Sequence, residues 1–286
     1  MKYYHNINPQ GPNVMPELPE VETIRRGLAP LIEGARIVDV IKRRETLRLP
    51  IPNLRECLVN YHITVIKRRA KYLLVGISAP GTLLIHLGMS GRLTIVTEDV
   101  RLTPHDHIDI VIDSGQILRY NDPRRFGLML YSEAPPEQHR LLRDLGPEPL
   151  SGEFTISYLR QIALNRRVAI KTLIMDSRVV VGVGNIYAAE ALFLAGIHPQ
   201  MPAGNLTDVM AQNLIVAIQR VLSLAIEQGG TTLKDFKNAA GKLGYFQLSL
   251  AVYGRKGMNC LKCRHVLTEI KQSQRSTVFC PGCQVL

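Results

Sequence analysis

The residues best suited to chemistry in this 286-residue chain stand at its C-terminal end. Cys260-x2-Cys263 is followed, sixteen residues later, by Cys280-x2-Cys283. Two thiolate pairs at this spacing hold a zinc ion tetrahedrally, each pair closing one tight turn. A disulfide framework is the competing reading. Low cysteine content and the absence of a secretory leader pattern disfavour it. All four ligands are cysteine, so no coordination position is left for water and the metal is structural. Cys57 stands apart and is expected to be a small buried hydrophobe.

The charge is uneven. Lys and Arg total 35 against 24 Asp and Glu, a net charge of +11. Lys42, Arg43, Arg44, Arg48, Arg55, Lys67, Arg68, Arg69 and Lys71 cluster in one segment; Arg255, Lys256, Lys262, Arg264, Lys271 and Arg275 cluster in another. Such a balance favours a polyanionic partner, nucleic acid first. The segments would suit two walls gripping a phosphate backbone, or they are two solvated surfaces that never meet. Composition is that of a globular protein, and no uninterrupted apolar run reaches the roughly 18 residues of a membrane span.

Three kinds of element must position these groups. Residues 17–33 carry Val21, Ile24, Leu28, Leu31 and Ile32 at helical spacing, opposite Glu22, Arg25 and Arg26, with prolines at the start. Eight short β-branched segments follow: 35–42, 63–67, 72–77, 82–86, 93–97, 107–113, 117–120 and 128–131, with a Ser114-Gly115 turn before Ile117. Beyond a Pro-rich break at 145–150, helical periods run over 156–164, 170–175, 186–194 and 207–228, with Thr207 as N-cap. The expected fold is therefore α+β and multidomain. A β-sandwich with a packed helix spans 16–145, a helical module 146–250, and the four-cysteine zinc hairpin 251–286.

Several local motifs go further. Met15-Pro-Glu-Leu-Pro-Glu-Val-Glu-Thr23, Arg68-Arg-Ala-Lys-Tyr-Leu-Leu74, His86-Leu-Gly-Met-Ser-Gly91, Asp122-Pro-Arg-Arg-Phe-Gly127, Val181-Gly-Val-Gly-Asn-Ile-Tyr-Ala188 and Val252-Tyr-Gly-Arg-Lys-Gly257 occur in order ahead of the zinc cysteines. Together they resemble the formamidopyrimidine-DNA glycosylases, bacterial base-excision enzymes for oxidised purines, over nearly the whole chain. The resemblance implies a β-sandwich, a helix-two-turns-helix module and a zinc finger, with damaged double-stranded DNA in the cleft. The protein would be a cytoplasmic monomer with one structural Zn2+ and no membrane partner. Val181-Gly-Val-Gly is no dinucleotide loop, because the spacing and the flanking elements are wrong.

The same resemblance implies roles. Pro16 would be the nucleophile. A secondary amine attacking the anomeric carbon gives an iminium ion that is always cationic, the electron sink that elimination of the sugar phosphates requires. Alone, a proline there would be an ordinary helix start. Glu17 would be the general acid/base, where position alone suggests a first-turn acid favoured by the helix dipole. Lys71 and Arg275 would neutralise leaving phosphates in β- and δ-elimination. Met89, Arg124 and Phe126 would fill the gap left by the everted nucleotide. His86, His105, Arg166, Asn185 and Tyr253 would contact DNA. Glu20, Lys171 and the loop around 229–245 would serve the lesion pocket. While residues 1–15 remain attached, the Pro16 nitrogen is an amide with no lone pair to offer. The reading thus takes Met15 as the initiator and places residues 1–15 outside the active protein. Two alternatives stay open: an endonuclease VIII-like, pyrimidine-directed relative, and a non-catalytic zinc-finger DNA-binding protein if residues 1–14 are retained.

Overall fold

A computed structural model describes residues 16–229 and 250–286. Eight strands form two four-stranded antiparallel sheets. One has the order β1 (Ile37–Lys42), β6 (Asp106–Ile112), β7 (Ile117–Asn121), β5 (Arg92–Val96). The other has β2 (Ile63–Arg69), β3 (Tyr72–Ile77), β4 (Thr82–His86), β8 (Leu128–Ser132). All eight coincide with the alternating apolar segments of the sequence, because each must turn one face to a shared core. Ile108, Ile110 and Ile112 supply that face on β6. Asp109, on the opposite face, is also buried, where the guanidinium of Arg119 closes on it at 2.9 Å and that of Arg43 at 2.6 Å.

Helix α1 (Leu18–Ile32) lays Val21, Ile24, Leu28 and Ile32 into the sandwich core. It also packs against a helix of the next module, so it is the element shared between the two. A short helix, α2 (Leu54–Leu58), was not expected from sequence. It carries Cys57, which is half-buried against the sandwich rather than sealed inside it.

The helical module comprises α3 (Ile156–Ala163), α4 (Ile170–Ile174), α5 (Asn185–Ala195) and α6 (Asp208–Glu227). Thr155 and Thr207 cap α3 and α6 by accepting from the Tyr158 and Met210 amides. Helix α5 is buried all round: Ile186, Ala188 and Leu192 face the helical core, and Ala189 and Phe193 face the zinc hairpin. Helix α6 is long and apolar enough to cross a membrane by length and composition. Its Leu214, Ile218 and Leu222 instead sit fully buried in the helical core. The chain ends in the hairpin β9 (Thr268–Gln272) and β10 (Arg275–Phe279).

Much of the first basic cluster turns out to be internal. Glu148, in the segment between sandwich and helices, accepts from Arg68 at 2.7 Å, Arg69 at 3.1 Å and the Ala70 amide at 2.7 Å. Arg69 also donates to the carbonyls of Leu145 and Gly146. Glu22, expected on the polar face of α1, is buried and accepts from Arg25, Arg26 and Arg68. The charge read as a DNA grip is here partly the joint between modules. The opposed walls suggested by the sequence therefore cannot count Arg68 or Arg69.

The arginines around Glu22 hold its carboxyl down, to about 2, against the opposing effect of burial. A folded pKa below the unfolded one, 4.5, adds stability above the unfolded value that is lost as pH falls towards 2. Urea unfolding across this window should show an acid loss of about 2 kcal/mol, after allowance for solvent screening, that is absent in Glu22→Gln.

Candidate active site and metal centre

The opening turn of α1 meets the start of α5. Pro16 is half-buried directly ahead of Glu17. The Glu17 carboxyl is 1% exposed and reaches beyond its own helix. Its two oxygens accept from the Gly184 amide at 2.8 Å and the Ile186 amide at 3.1 Å. These amides lie at the N-terminus of α5, where unpaired N–H groups and the helix dipole favour an anion. A Cβ at position 184 would collide with this carboxyl, so glycine is required for the close approach. Gly182 has φ +79° and abuts Leu18, which lets the loop fold over the start of α1.

Glu20 braces the same turn. It accepts from the Glu17 amide at 2.9 Å and from the Tyr187 hydroxyl at 2.7 Å. Burial raises the Glu17 pKa. The ammonium of Lys71, in the turn between β2 and β3, works against that rise; the negative charge of Glu20 adds to it, and the two α5 amides oppose it. The result is a carboxyl that keeps its proton to higher pH than a free glutamic acid, as a general acid requires.

Lys171 on α4 is 2% exposed, and its Nζ donates to Asn185 Oδ1 and Thr277 Oγ1, both at 2.7 Å. Burial is the main cause that brings its pKa down to about 8, with Arg275 adding to the fall and Glu17 opposing it. Asn185 in turn donates to the Ser276 carbonyl at 3.0 Å. Helical module and zinc hairpin are thus sewn together beside a cavity of about 220 Å³ lined by Lys171, Asn185, Gln272, Arg275 and Thr277. Arg275 is exposed at the start of β10. Tyr253 lies close enough to Glu17 for the carboxyl to help raise its pKa, an effect second to burial. Of the two residues expected at a lesion pocket, Glu20 and Lys171 are both buried and engaged in bonds that support the site. The loop that was to complete the pocket lies, from residue 230 on, outside the described residues.

A second group stands at the rim of the sandwich. His86 accepts from the Gly88 amide through Nδ1 at 2.9 Å and packs against Tyr72 with the rings tilted by 54°, centroids 4.7 Å apart. Burial, with the cations Arg48 and Lys71, lowers its pKa to about 3, so the ring is neutral and its Nε2 carries the proton. Met89 is half-buried; Arg124 and Phe126 are exposed, with the guanidinium 4.9 Å over the ring. These two loops are held by buried Asp122, which accepts from Ser90 at 2.5 Å, the Gly127 amide at 2.9 Å and Tyr120 at 3.2 Å. An exposed apolar ring beside a cation thus stands on loops fixed from below. His105 and Arg166 are also exposed, on separate loops, and the His105 carbonyl accepts from the Asp122 amide at 3.0 Å.

Asp122, Gly184, Tyr187 and Glu148 stand inside the motifs or at the linker, but nothing in the sequence assigns them a task. Glu190 stands in none of the motifs. Its carboxylate accepts from three successive amides, Ala251, Val252 and Tyr253, at 2.8–2.9 Å. The available signal was a lone acid in an otherwise apolar helix.

At the metal centre the four cysteine sulfurs lie within 4.8 Å of one another. Sγ of Cys260 and Cys283 are 3.9 Å apart, and of Cys263 and Cys280 3.3 Å. These are not disulfide lengths; tetrahedral Zn–S bonds place sulfurs about 3.8 Å apart. The hairpin buries only a small apolar cluster of its own, so the metal supplies much of its stability. With zinc bound, a thiol reagent should find Cys57 alone among the five cysteines; chelation should expose all five and open the hairpin to protease.

The chain matches the model of the formamidopyrimidine-DNA glycosylase N-terminal domain over residues 15–129. It matches that of the glycosylase H2TH domain over 145–237, and a zinc finger found in FPG and IleRS over 259–285. It is 52% identical over 270 residues to the formamidopyrimidine-DNA glycosylase of Shewanella amazonensis, covering 94% of this chain and 99% of that one. To the Shewanella halifaxensis protein of the same name it is 50% identical over 272 residues, covering 95% and 100%. Among solved structures, Lactococcus lactis Fpg in complex with abasic-site-containing DNA superposes with a TM-score of 0.87 at 33% identity, covering 94% of this chain and all of that one. The MutM (FPG) protein of Thermus thermophilus gives 0.83 at 37%, covering 94% and 98%.

Proposed function

The chain belongs to the formamidopyrimidine-DNA glycosylase family, and from that premise we propose that it excises oxidised purines from duplex DNA and then cuts the strand as an abasic-site lyase. The observation that carries this reading is the buried, proton-retaining Glu17 carboxyl directly beside Pro16, at the N-terminus of α5. Lactococcus lactis Fpg, of the same fold, has been captured with DNA containing Fapy-dG.

In the proposed sequence the Pro16 amine attacks C1′ of the lesion nucleotide, the C1′–N bond breaks towards the base, and the proton that the Pro16 nitrogen gives up balances the one the departing base takes on. Glu17 gives its proton to the sugar ring oxygen as the ring opens. The resulting iminium draws electrons from C2′, whose proton is lost, and the 3′ phosphate departs; a second elimination releases the 5′ phosphate. In this reading Lys71 and Arg275 neutralise those phosphates. Met89, Arg124 and Phe126 occupy the vacated stack, and His86, His105, Arg166, Asn185 and Tyr253 hold the backbone. The zinc is structural and takes no step. This chemistry needs a free amine on Pro16, hence removal of residues 1–15; the family match beginning at residue 15 supports that start. The division near 145 and 250, a monomeric state and action on DNA in the bacterial cytoplasm belong to the same reading.

Borohydride should link the protein that begins at Pro16 covalently to abasic DNA, with loss of the band in Pro16→Gly extended by one residue. A protein beginning at Pro16 that gives no band overturns the enzyme reading in favour of a DNA-binding role. A duplex with 8-oxoguanine opposite cytosine should be cut faster than one with thymine glycol; the reverse order would move the protein to the pyrimidine-directed branch.

Glu17 must be protonated to act as the acid, so base excision should fall as pH rises through its raised pKa. Glu17→Gln should bind the lesion and fail to excise it. Glu20→Gln removes a like charge, lowers the Glu17 pKa and moves the alkaline limb of the pH–rate profile to lower pH.

A further inference from the structure

Lys71 follows a residue in an unusual conformation. Ala70 has φ +54°, a left-handed backbone that is strained for a non-glycine residue and persists where its surroundings hold it. Here both polar groups of Ala70 are taken. Its amide donates to Glu148 Oε1 at 2.7 Å, and its carbonyl accepts from Arg68 Nη1 at 2.9 Å. The same Arg68 Nη1 donates to Glu148 Oε2 at 2.7 Å. Glu148, Arg68 and Ala70 thus form a closed ring of hydrogen bonds around the turn between β2 and β3. Glu148 does not belong to the sandwich. It stands in the connecting segment, which the helical module grips from the other side: Gly146 donates to Ser177, Val181 donates to Pro147, and Gln219 donates to Pro149.

We propose that Glu148 is a positioning residue for Lys71, locking the strained Ala70 turn to the segment between modules so that the lysine ammonium is presented to the site beside Pro16. The role assigned to Lys71 rests on the function proposed above; the placement of Lys71 by Glu148 does not. Without the ring, Ala70 relaxes towards an ordinary turn, Arg68 falls back on Glu22, and the Lys71 side chain swings away from Glu17.

Electrostatics makes the test directional. The charged and titratable groups around Glu17 are Glu20 on its own helix, Lys71 from the sandwich, Lys171 from α4, and Tyr253 ahead of the zinc hairpin. Lys71 lowers the Glu17 pKa. Removing the negative charge of Glu148 could act directly only by lowering it further. Releasing Lys71 must raise it. The experiment is 13C NMR titration of the Glu17 carboxyl in the zinc-loaded protein beginning at Pro16, for Glu148→Ala, Glu148→Gln and Lys71→Met. Glu148→Ala should move the Glu17 midpoint upward by about half a pH unit or more, and Lys71→Met in the same background should add nothing. Glu148→Gln keeps an acceptor for the Ala70 amide and should stay near wild type; it is the variant that decides if Glu148→Ala does not fold, since further loss of Lys71 must then still raise the midpoint by the wild-type amount. A Glu17 midpoint unmoved or lowered in Glu148→Ala, or additive effects of Glu148→Ala and Lys71→Met, would reduce Glu148 to a purely structural tie. The titration needs no turnover, so it stands apart from failure of the lyase reading, which borohydride trapping reports.

Discussion

The carboxyl of Glu17, out of water and bonded to two amides at the head of α5, is the contact on which the other placements depend. It brings the first residues of the sandwich's helix against the middle of the helical module. From α5 the contacts continue outward. Tyr187 braces Glu20, Asn185 receives Lys171 and reaches the zinc hairpin, and Glu190 gathers the amides of residues 251–253. A helix buried on every side can serve three neighbours at once, and its N-terminus is the one end where a buried carboxyl finds donors ready-made.

That arrangement explains why the apolar skeleton was legible in the sequence and the site's wiring was not. Strands such as β6 and helices such as α6 announce themselves by a period imposed by one buried face. The zinc ligands announce themselves by spacing. Helix α2, five residues long, has too few turns to show a period. Glu22 and Asp109 lie at positions that patterning assigns to an outer face, yet both are buried, where an arginine distant in sequence, Arg68 or Arg43, joins nearer ones on the carboxylate. No local signal marks a partner 46 or 66 residues away. The first basic cluster was misleading for the same reason: composition counts a cation without saying whether an acid already holds it.

The motifs mix two kinds of residue that the resemblance alone did not separate. In Arg68-Arg-Ala-Lys71 the arginines are bonded internally, while the charge of the lysine acts on Glu17. In Asp122-Pro-Arg-Arg-Phe-Gly127 the aspartate is the buried anchor, while Arg124 and Phe126 are presented outside. Gly88 and Gly127 allow the Met89 loop and the Phe126 loop to touch backbone to backbone, where any side chain would intrude. Each motif is therefore a short rigid mount with its working residue at the tip.

Burial alone does not say what a charged group will do; the chemistry of its partners does. Glu22 and Asp109 face guanidinium groups, and both are held ionised well below the usual carboxylate range. Such charges are fixed, and their work is cohesion. Glu17 is held chiefly by amides, with a second carboxylate nearby, and Lys171 by an amide oxygen and a hydroxyl. Neutral partners satisfy hydrogen bonds without repaying the cost of taking a charge from water. Glu17 consequently drifts towards its protonated form and Lys171 towards its neutral one, and a group near that balance can pass a proton. The same fold thus uses opposite charge to build and neutral donors and acceptors to tune, and the two kinds of burial meet at Arg68-Arg-Ala-Lys71, where the joint between modules ends and the site begins.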